Sequence, residues 1–458
     1  MSAPHLRRVL GPTAATAIVA GTIIGTGIFL KPAAMAQGAG SEGLVLVAWI
    51  VAALLSLAGA LTYAELGALM PDAGGEYVYL REAYGSLPAF LYGWMRFFIG
   101  SAGSVAAYAV GASAFLASIV DVRVLPGGET AVAVFFIVLF TLSNCLAVTF
   151  GAALQIGLTA LKVLAVLGLS LVLLVLGDAP TSSVAAPGFL GLPTFATAVL
   201  AALWAFDGWN NLAMVGGEIK DPKKNLPRAL IFGMGLVTAL YLLSNSAYFH
   251  ALDFDAVAAS RSSAHRDALP VAANALSAAT GSGLAVGVVS VLFIISALGA
   301  MNGSIMTGAR VPYALARDGL FPKRLARLSA REVPVGAVLA QGAVALVLAL
   351  SGTFDQLTDA VVFASWIFYG LCTGAVFILR RRLRTRPAEA GLREDLRASG
   401  ETPRFKTPLY PVLPIVFILV TLVLLVSTVA SMPELTALGL GIIALGVPVH
   451  LVVRRASR

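Results

Sequence analysis

Gly21-Thr22-Ile23-Ile24-Gly25-Thr26-Gly27-Ile28-Phe29 sets three glycines and two threonines within seven residues, at the middle of an apolar run from 13 to 36. The run is long enough to cross a bilayer, which takes about 20 residues of α-helix. Glycine disfavours helix by about 1 kcal/mol relative to alanine, so the segment reads as a spanning helix interrupted halfway. Close helix packing is the competing reading, because Gly21-x-x-x-Gly25 is also a small-xxx-small pattern. A second stretch decides between them. Trp204-Ala205-Phe206-Asp207-Gly208-Trp209-Asn210-Asn211 places an acid, a glycine and two asparagines inside another apolar run. An ionisable residue within a span costs about 2.5–3.5 kcal/mol on insertion scales and normally faces a cavity or a partner. Packing alone does not account for both interruptions.

The rest of the chain fits a membrane setting. Of 458 residues, 59% are hydrophobic and 12% charged, with a mean hydropathy of +0.90. A water-facing surface carries roughly 25% charged residues, so most of this surface faces something apolar. Twelve apolar runs are predicted to span, at 13–36, 44–69, 88–119, 130–150, 154–177, 193–216, 228–250, 282–311, 334–351, 356–380, 409–430 and 435–453. No stretch between them is long enough for a separate soluble domain, so residues 1–458 read as one transmembrane domain. A basic linker at 381–408 divides a core at 10–380 from two peripheral helices at 409–453. The Ala-rich run at 271–279 is expected to form a short helix over one face, beyond the polar patch from Arg261 to Asp267.

With twelve crossings and both termini cytoplasmic, most of the 31 lysines and arginines fall inside, from Arg7 and Arg8 to Arg454, Arg455 and Arg458. Only Lys31, Arg123, Arg261 and Arg266 fall outside, and Arg96 and Lys162 lie within spans. That asymmetry is the positive-inside pattern. The net charge of +8 therefore orients the chain and implies no nucleic-acid partner. Cys145 and Cys372 sit in apolar runs as small packing residues. Arg7-Arg8, an apolar run and Ala34-Met35-Ala36 imitate a signal peptide, but the run exceeds a signal's apolar core of about 7–15 residues. No cleavage is expected.

Interrupted helices carry chemistry of their own. Where a helix restarts, free N–H groups and the positive dipole end favour an anion. In the first span the restart falls near Gly25-Thr26-Gly27, a seat for a carboxylate. Where the sixth span breaks, free carbonyls from Trp204 to Asp207 favour an ammonium. Carboxylate and ammonium receptors facing one another describe an α-amino acid. Catalytic motifs are missing: His5, His250, His265 and His450 are scattered without metal-ligand spacing, and there is no nucleophile elbow or phosphate loop. The chain reads as no enzyme, with no metal and no cofactor.

The glycine-rich stretch, with Lys31-Pro32 after it, resembles the first-span signature of the amino acid–polyamine–organocation superfamily. So do Tyr63-Ala-Glu-Leu66, Gly74-Gly-Glu-Tyr77, Tyr79 to Gly85, Phe206-Asp-Gly-Trp209, Gly217 to Ala229, and Asn302-Gly-Ser304 with Ala316 to Gly319. The match runs in order over about residues 10–380. Within the superfamily the sixth span and Lys162 look most like the L-type amino-acid transporters and bacterial serine/threonine exchangers. The resemblance implies an all-α fold of 12 transmembrane helices. It implies a five-plus-five inverted-repeat core, with the first and sixth helices unwound, and two peripheral helices. It implies a carboxylate seat on the Thr26 and Gly27 amides and an amine seat on carbonyls near Ile23, Trp204 and Asp207. Gly25, Phe206 and Gly208 complete the expected substrate site, and Trp204 stands where relatives place an aromatic over the substrate. Eukaryotic L-type carriers have glycine in place of Asp207; its side chain either binds the amine, caps the break or selects among substrates.

Two readings fit Lys162: its ammonium reaches the interface, or it replaces the cation of sodium-coupled relatives between spans 1 and 8. Arg96 is expected to reach the interface. Glu65 and Glu218 are expected to pair with loop arginines, and Tyr63, Tyr77, Tyr79 and Tyr84 to form an interfacial belt. The function expected is sodium-independent exchange of small neutral L-amino acids across a plasma membrane (in a bacterium, the inner membrane) by alternating access. Partners are the substrate and the lipid bilayer; the sequence leaves any accessory subunit open. A proton-coupled symporter is the alternative, and a channel or a non-transporting receptor lies further off.

Overall fold

The structure, a computed structural model, describes residues 6–178, 189–262, 264–265, 268–351, 354–385, 405–431 and 433–456. Most of the predicted 381–408 linker lies outside the described residues, as do Arg266, Asp267 and Arg458. The chain opens with α1 (Pro12–Ile23) and α2 (Gly27–Ala39), a bent pair, followed by α3 (Glu42–Leu69). Next come α4 (Glu76–Tyr84), α5 (Ser86–Met95) and α6 (Ser101–Ala117), the last two joined by a π-turn at Arg96–Gly100. Helices α7 (Gly128–Asn144) and α8 (Val148–Leu176) lead to α9 (Leu192–Ala205) and the single turn α10 (Asn211–Met214). Then follow α11 (Pro222–Ala251), α12 (Phe254–Ala258), α13 (Val271–Thr280) and α14 (Ala285–Gly308). The chain continues through α15 (Arg310–Arg317), α16 (Val335–Ser351) and α17 (Phe354–Thr385) to α18 (Val412–Ser431) and α19 (Pro433–Ala456).

Local signals set the ends. Pro12 and Pro222 stand in the first turns of α1 and α11, where a missing N–H costs nothing. The Ser41 hydroxyl accepts from the Leu44 amide to cap α3, and Gly40 at φ 80° ends α2 in the left-handed region. Among the described residues the only β pairing is a single parallel bridge, Leu10 to Ile219, which ties the segment before α1 to the segment before α11.

The expected twelve-helix, five-plus-five inverted-repeat architecture is corrected by these elements. Among the described residues, eight helices are long and apolar enough to cross a membrane, or nine if the bent pair α1–α2 counts as one span. The runs at 130–150, 193–216 and 334–351 fall short. Helices α7 and α16 stop at 17 residues, and α9 stops at 14, where the predicted break ends it. Hydropathy counts an apolar run whether or not one continuous helix fills it, and here caps and breaks shorten the helices inside the runs. The fold is all-α and multi-helical, with an apolar outer face. Leu164 and Leu171 on α8, Val426 on α18 and Leu445 on α19 are each more than 60% exposed. Such exposure suits hydrocarbon, not water. The Ala-rich run forms α13, as expected.

Candidate functional site

The first break leaves two kinds of backbone group without helical partners, and the protein treats them differently. Helix α1 ends at Ile24, at φ −68° and ψ 84°, and α2 restarts at Gly27 with its axis turned by 47°. Side-chain donors reach four carbonyls at and just after the end of α1, those of Gly21, Ile23, Ile24 and Gly25. Lys162 Nζ donates to Gly21 O at 2.8 Å and Ile24 O at 2.7 Å, and the Ser296 hydroxyl has both Gly25 O at 2.8 Å and Ile24 O at 3.0 Å within reach of its one proton. The Tyr241 hydroxyl donates to Ile23 O at 3.0 Å. The donors at the start of α2 have no such partners. Among the described residues, no backbone carbonyl accepts from the amides of Thr26, Gly27 or Ile28. Thr26 is buried, and its hydroxyl has no partner either. What remains for a ligand at this break is donor capacity, as an anion seat requires.

The second break meets the first directly. Helix α9 ends at Ala205 and Gly208 adopts φ 114°, a conformation that favours glycine. A Cβ there would lie 3.0 Å from Thr22 O, so only glycine lets the two breaks touch. The Thr22 hydroxyl donates to Gly208 O at 3.0 Å. Tyr241 Oη also lies 3.0 Å from Ala205 O, so one hydroxyl spans the last carbonyls of both helices.

A cavity of about 40 Å³ lies between the breaks, lined by Ile23, Gly25, Thr26, Gly27, Trp204, Ala205 and Asp207 with Ser104, Ala107 and Tyr108 of α6 and Val361 of α17. Six of the expected site residues line it: Ile23, Gly25, Thr26, Gly27, Trp204 and Asp207. Phe206 and Gly208 do not. Phe206 is buried against Trp49 and Tyr241, with ring centroids 5.9 and 5.2 Å away, and Gly208 faces Thr22. The residues from α6 and α17 were illegible in sequence, because single small or aromatic residues in apolar runs do not show which way they face. Tyr241 and Ser296 were findable only as hydroxyls that must bond something when buried.

Removing the Tyr241 hydroxyl tests how the breaks are held. Tyr241→Phe keeps the ring on Trp49 and Phe206; Ile23 O retains the Gly25 amide at 2.7 Å, but Ala205 O loses its donor, at a cost of about 1–3 kcal/mol for an unsatisfied buried group. The half-saturation concentration for exchange is expected to rise by about fivefold or more. Concentration curves in proteoliposomes measure it, and unchanged curves would show that the hydroxyl is dispensable.

Lys162 does not reach the interface. It is 1% exposed, and its third bond runs to Ser296 O at 2.9 Å. A Cβ at Gly299 would lie 2.7 Å from Lys162 Cε, so that glycine makes the room. Beyond it an amide ladder crosses three helices. Asn144 donates to Asn302 at 2.9 Å, and Asn302 to Gln155 at 2.8 Å.

Arg96 also corrects its expectation. It is buried, and Nη2 donates to Asn211 Oδ1 at 2.5 Å. The π-turn folds it inward beneath Gly100, whose Cβ would lie 2.9 Å from Arg96 Cδ. The tyrosine belt is corrected too. Tyr63, Tyr77 and Tyr79 are buried, and Tyr63 and Tyr92 donate to the enclosed Glu76 carboxylate, which Asn210 also reaches at 3.1 Å. Tyr369 continues that network to the cavity, donating to Asp207 Oδ1 at 2.9 Å. Glu65 and Glu218 do pair with arginines, but with helical ones, Arg380 at 2.7 Å and Arg310 at 2.6 Å. Cys372 is buried as expected and Cys145 half-buried. Among the described residues, no group of three His, Cys, Asp or Glu could hold a metal ion.

The chain's sequence matches the family model described as amino acid permease over residues 10–445. It is 31% identical over 448 residues to the serine/threonine exchanger SteT of Bacillus subtilis (strain 168), covering 97% of this chain and 96% of that one. It is 32% identical over 385 residues to the b(0,+)-type amino acid transporter 1 of Homo sapiens, covering 82% of this chain and 76% of that one. The human large neutral amino acids transporter small subunit 2 is 29% identical over 460 residues, covering 97% of this chain and 80% of the relative. A match of this length, in a chain whose two interrupted helices enclose a cavity with free backbone donors, places it: the protein belongs to the amino acid permease family of the amino acid–polyamine–organocation superfamily and is a secondary amino-acid transporter, not an enzyme.

Proposed function

We propose that the protein exchanges small neutral L-amino acids without sodium, seating the substrate carboxylate at the start of α2 and its ammonium beside Asp207. One observation carries this reading. At the first break the carbonyls of Gly21, Ile23, Ile24 and Gly25 are met by Lys162, Ser296 and Tyr241, while the Thr26 hydroxyl and the amides of residues 26–28 have no partner among the described residues. A carboxylate satisfies what is left over. A cavity of about 40 Å³ favours short side chains, and the names of the relatives, a serine/threonine exchanger among them, point the same way. Lys162 puts a fixed positive charge on the carbonyls that would otherwise draw a metal cation, which supports sodium independence. The basic residues that flank the spans support cytoplasmic termini in a plasma membrane, or in a bacterium the inner membrane.

Counterflow in proteoliposomes tests it. Vesicles loaded with unlabelled serine, threonine or alanine should accelerate entry of the labelled amino acid equally in sodium and in choline buffer. The amide or methyl ester of the same amino acid should enter at background. Strict sodium dependence would overturn the coupling, and an ester carried as well as the acid would overturn the carboxylate seat.

A further inference from the structure

Helix α2 touches the Trp204 indole twice, and the second contact is a cation. At the foot of the helix, a Cβ on Gly27 would lie 3.4 Å from Trp204 Cζ3, so the backbone itself is the floor of the ring. One turn on, at the i+4 position and hence on the same face, Lys31 holds its ammonium 4.1 Å from the centroid of the indole. Trp204 is the last residue but one of α9, half-buried at the cavity edge, so the helix supplies little wall beyond it. It is also unlike the other tryptophans. Of the five in the chain, Trp49, Trp94, Trp209 and Trp366 each pack on an aromatic ring, and Trp204 has no ring partner among the described residues.

We propose that Lys31 is a positioning residue for transport: its ammonium, seated on the indole face, holds Trp204 as a wall of the substrate cavity. This rests on the reading that the cavity between the breaks takes the substrate. A ring held by aromatic stacking on a rigid helix is fixed, whereas one held by a single cation at the end of a four-carbon chain can be released and recaptured. A cation over an indole is a modest contact that strengthens as water leaves, so it biases the ring without locking it. Through it, α2 at the first break and the end of α9 at the second are coupled at the edge of the cavity, where substrate must pass.

The test is a double-mutant cycle on exchange in proteoliposomes. Lys31→Met, with Lys31→Gln as a second neutral variant should the first express poorly, is expected to raise the half-saturation concentration about two- to thirtyfold. Lys31→Arg, which also stacks on indole, is expected to restore it to within about threefold of wild type. In a Trp204→Leu background, Lys31→Met should add nothing, because the partner is gone. The inference is overturned if the neutral variants match wild type while Trp204→Leu is impaired. It is also overturned if the full effect of Lys31→Met persists in the Trp204→Leu background, or disappears in high salt. Either of those would mean that Lys31 attracts the substrate carboxylate from solution. If Trp204→Leu itself exchanges with wild-type half-saturation, the cavity is not the substrate site, and both readings fall.

Discussion

Gly27→Val is expected to abolish exchange, to below about one hundredth of the wild-type rate, because a displacement of about 1 Å at a site can cost a factor of about a hundred. The cause is steric, and it lies between the two breaks. A Cβ at Gly27 would stand 2.6 Å from Ala205 Cβ and 2.9 Å from Ala205 Cα, closer than unstrained carbon atoms come, and the second of these is backbone. The first turn of α2 must then move away from the last turn of α9. The Thr26–Ile28 amides move with it, and the cavity between them changes shape. Gly25 also lines the cavity and has more room: a Cβ there would meet Tyr108 Cε1 at 3.5 Å, Tyr108 Oη at 3.6 Å and Ile23 O at 3.8 Å, all ordinary contacts. Gly25→Ala should therefore fold and insert normally but favour the smallest substrates, since the added methyl group would stand in the cavity beside Tyr108. Counterflow with glycine, alanine, serine and threonine separates the two. If Gly27→Val exchanges within about threefold of wild type, the close seat of α2 on α9 is not essential.

Lys162→Ala is the second large effect, an expected loss of about tenfold or more in exchange with the order of substrates unchanged. A hydrogen bond to a charged group contributes about 1.5–3 kcal/mol net, and Lys162 makes three, to Gly21 O, Ile24 O and Ser296 O. The bonds hold α1 to α14 through α8, so their loss frees the broken end of α1 without touching the cavity wall, which Lys162 does not line. Ser296 still reaches Ile24 O in the variant, whereas Gly21 O loses its lysine. Lys162→Arg should not rescue, because Gly299 leaves no width for a guanidinium, and Gly299→Ala should reproduce the loss from the other side. The measurement is exchange by each variant beside uptake in sodium and choline buffer. Full activity in Lys162→Ala would show that the ammonium only fills space.

Much of this was legible from residue order alone. Composition and apolar runs gave an all-α membrane protein, and the motifs from Gly21 to Gly319 gave its superfamily. Glycine and polar residues inside apolar runs marked both breaks near Ile24–Gly27 and Phe206–Gly208, because each lowers helix stability locally, whatever packs nearby. Span counting failed for a related reason. Hydropathy sums apolar character along a run, but helix length depends on where caps and breaks fall, so the runs around α7, α9 and α16 overstated the spans.

Partners in space were out of reach. That Arg96 and Tyr63 turn inward, that Phe206 leaves the cavity, and that Tyr241 bridges Ile23 and Ala205 are outcomes of side-chain direction and of contacts between separate helices. By itself, then, the sequence determined the setting in lipid, the superfamily and the two places where helix is interrupted, since these follow from local propensity and transfer energy. The tertiary structure alone decided which freed backbone groups stay unpaired. Lys162, Ser296 and Tyr241 come from three different helices to meet the carbonyls of Gly21, Ile23, Ile24 and Gly25, whereas no backbone carbonyl among the described residues accepts from the amides at Thr26–Ile28.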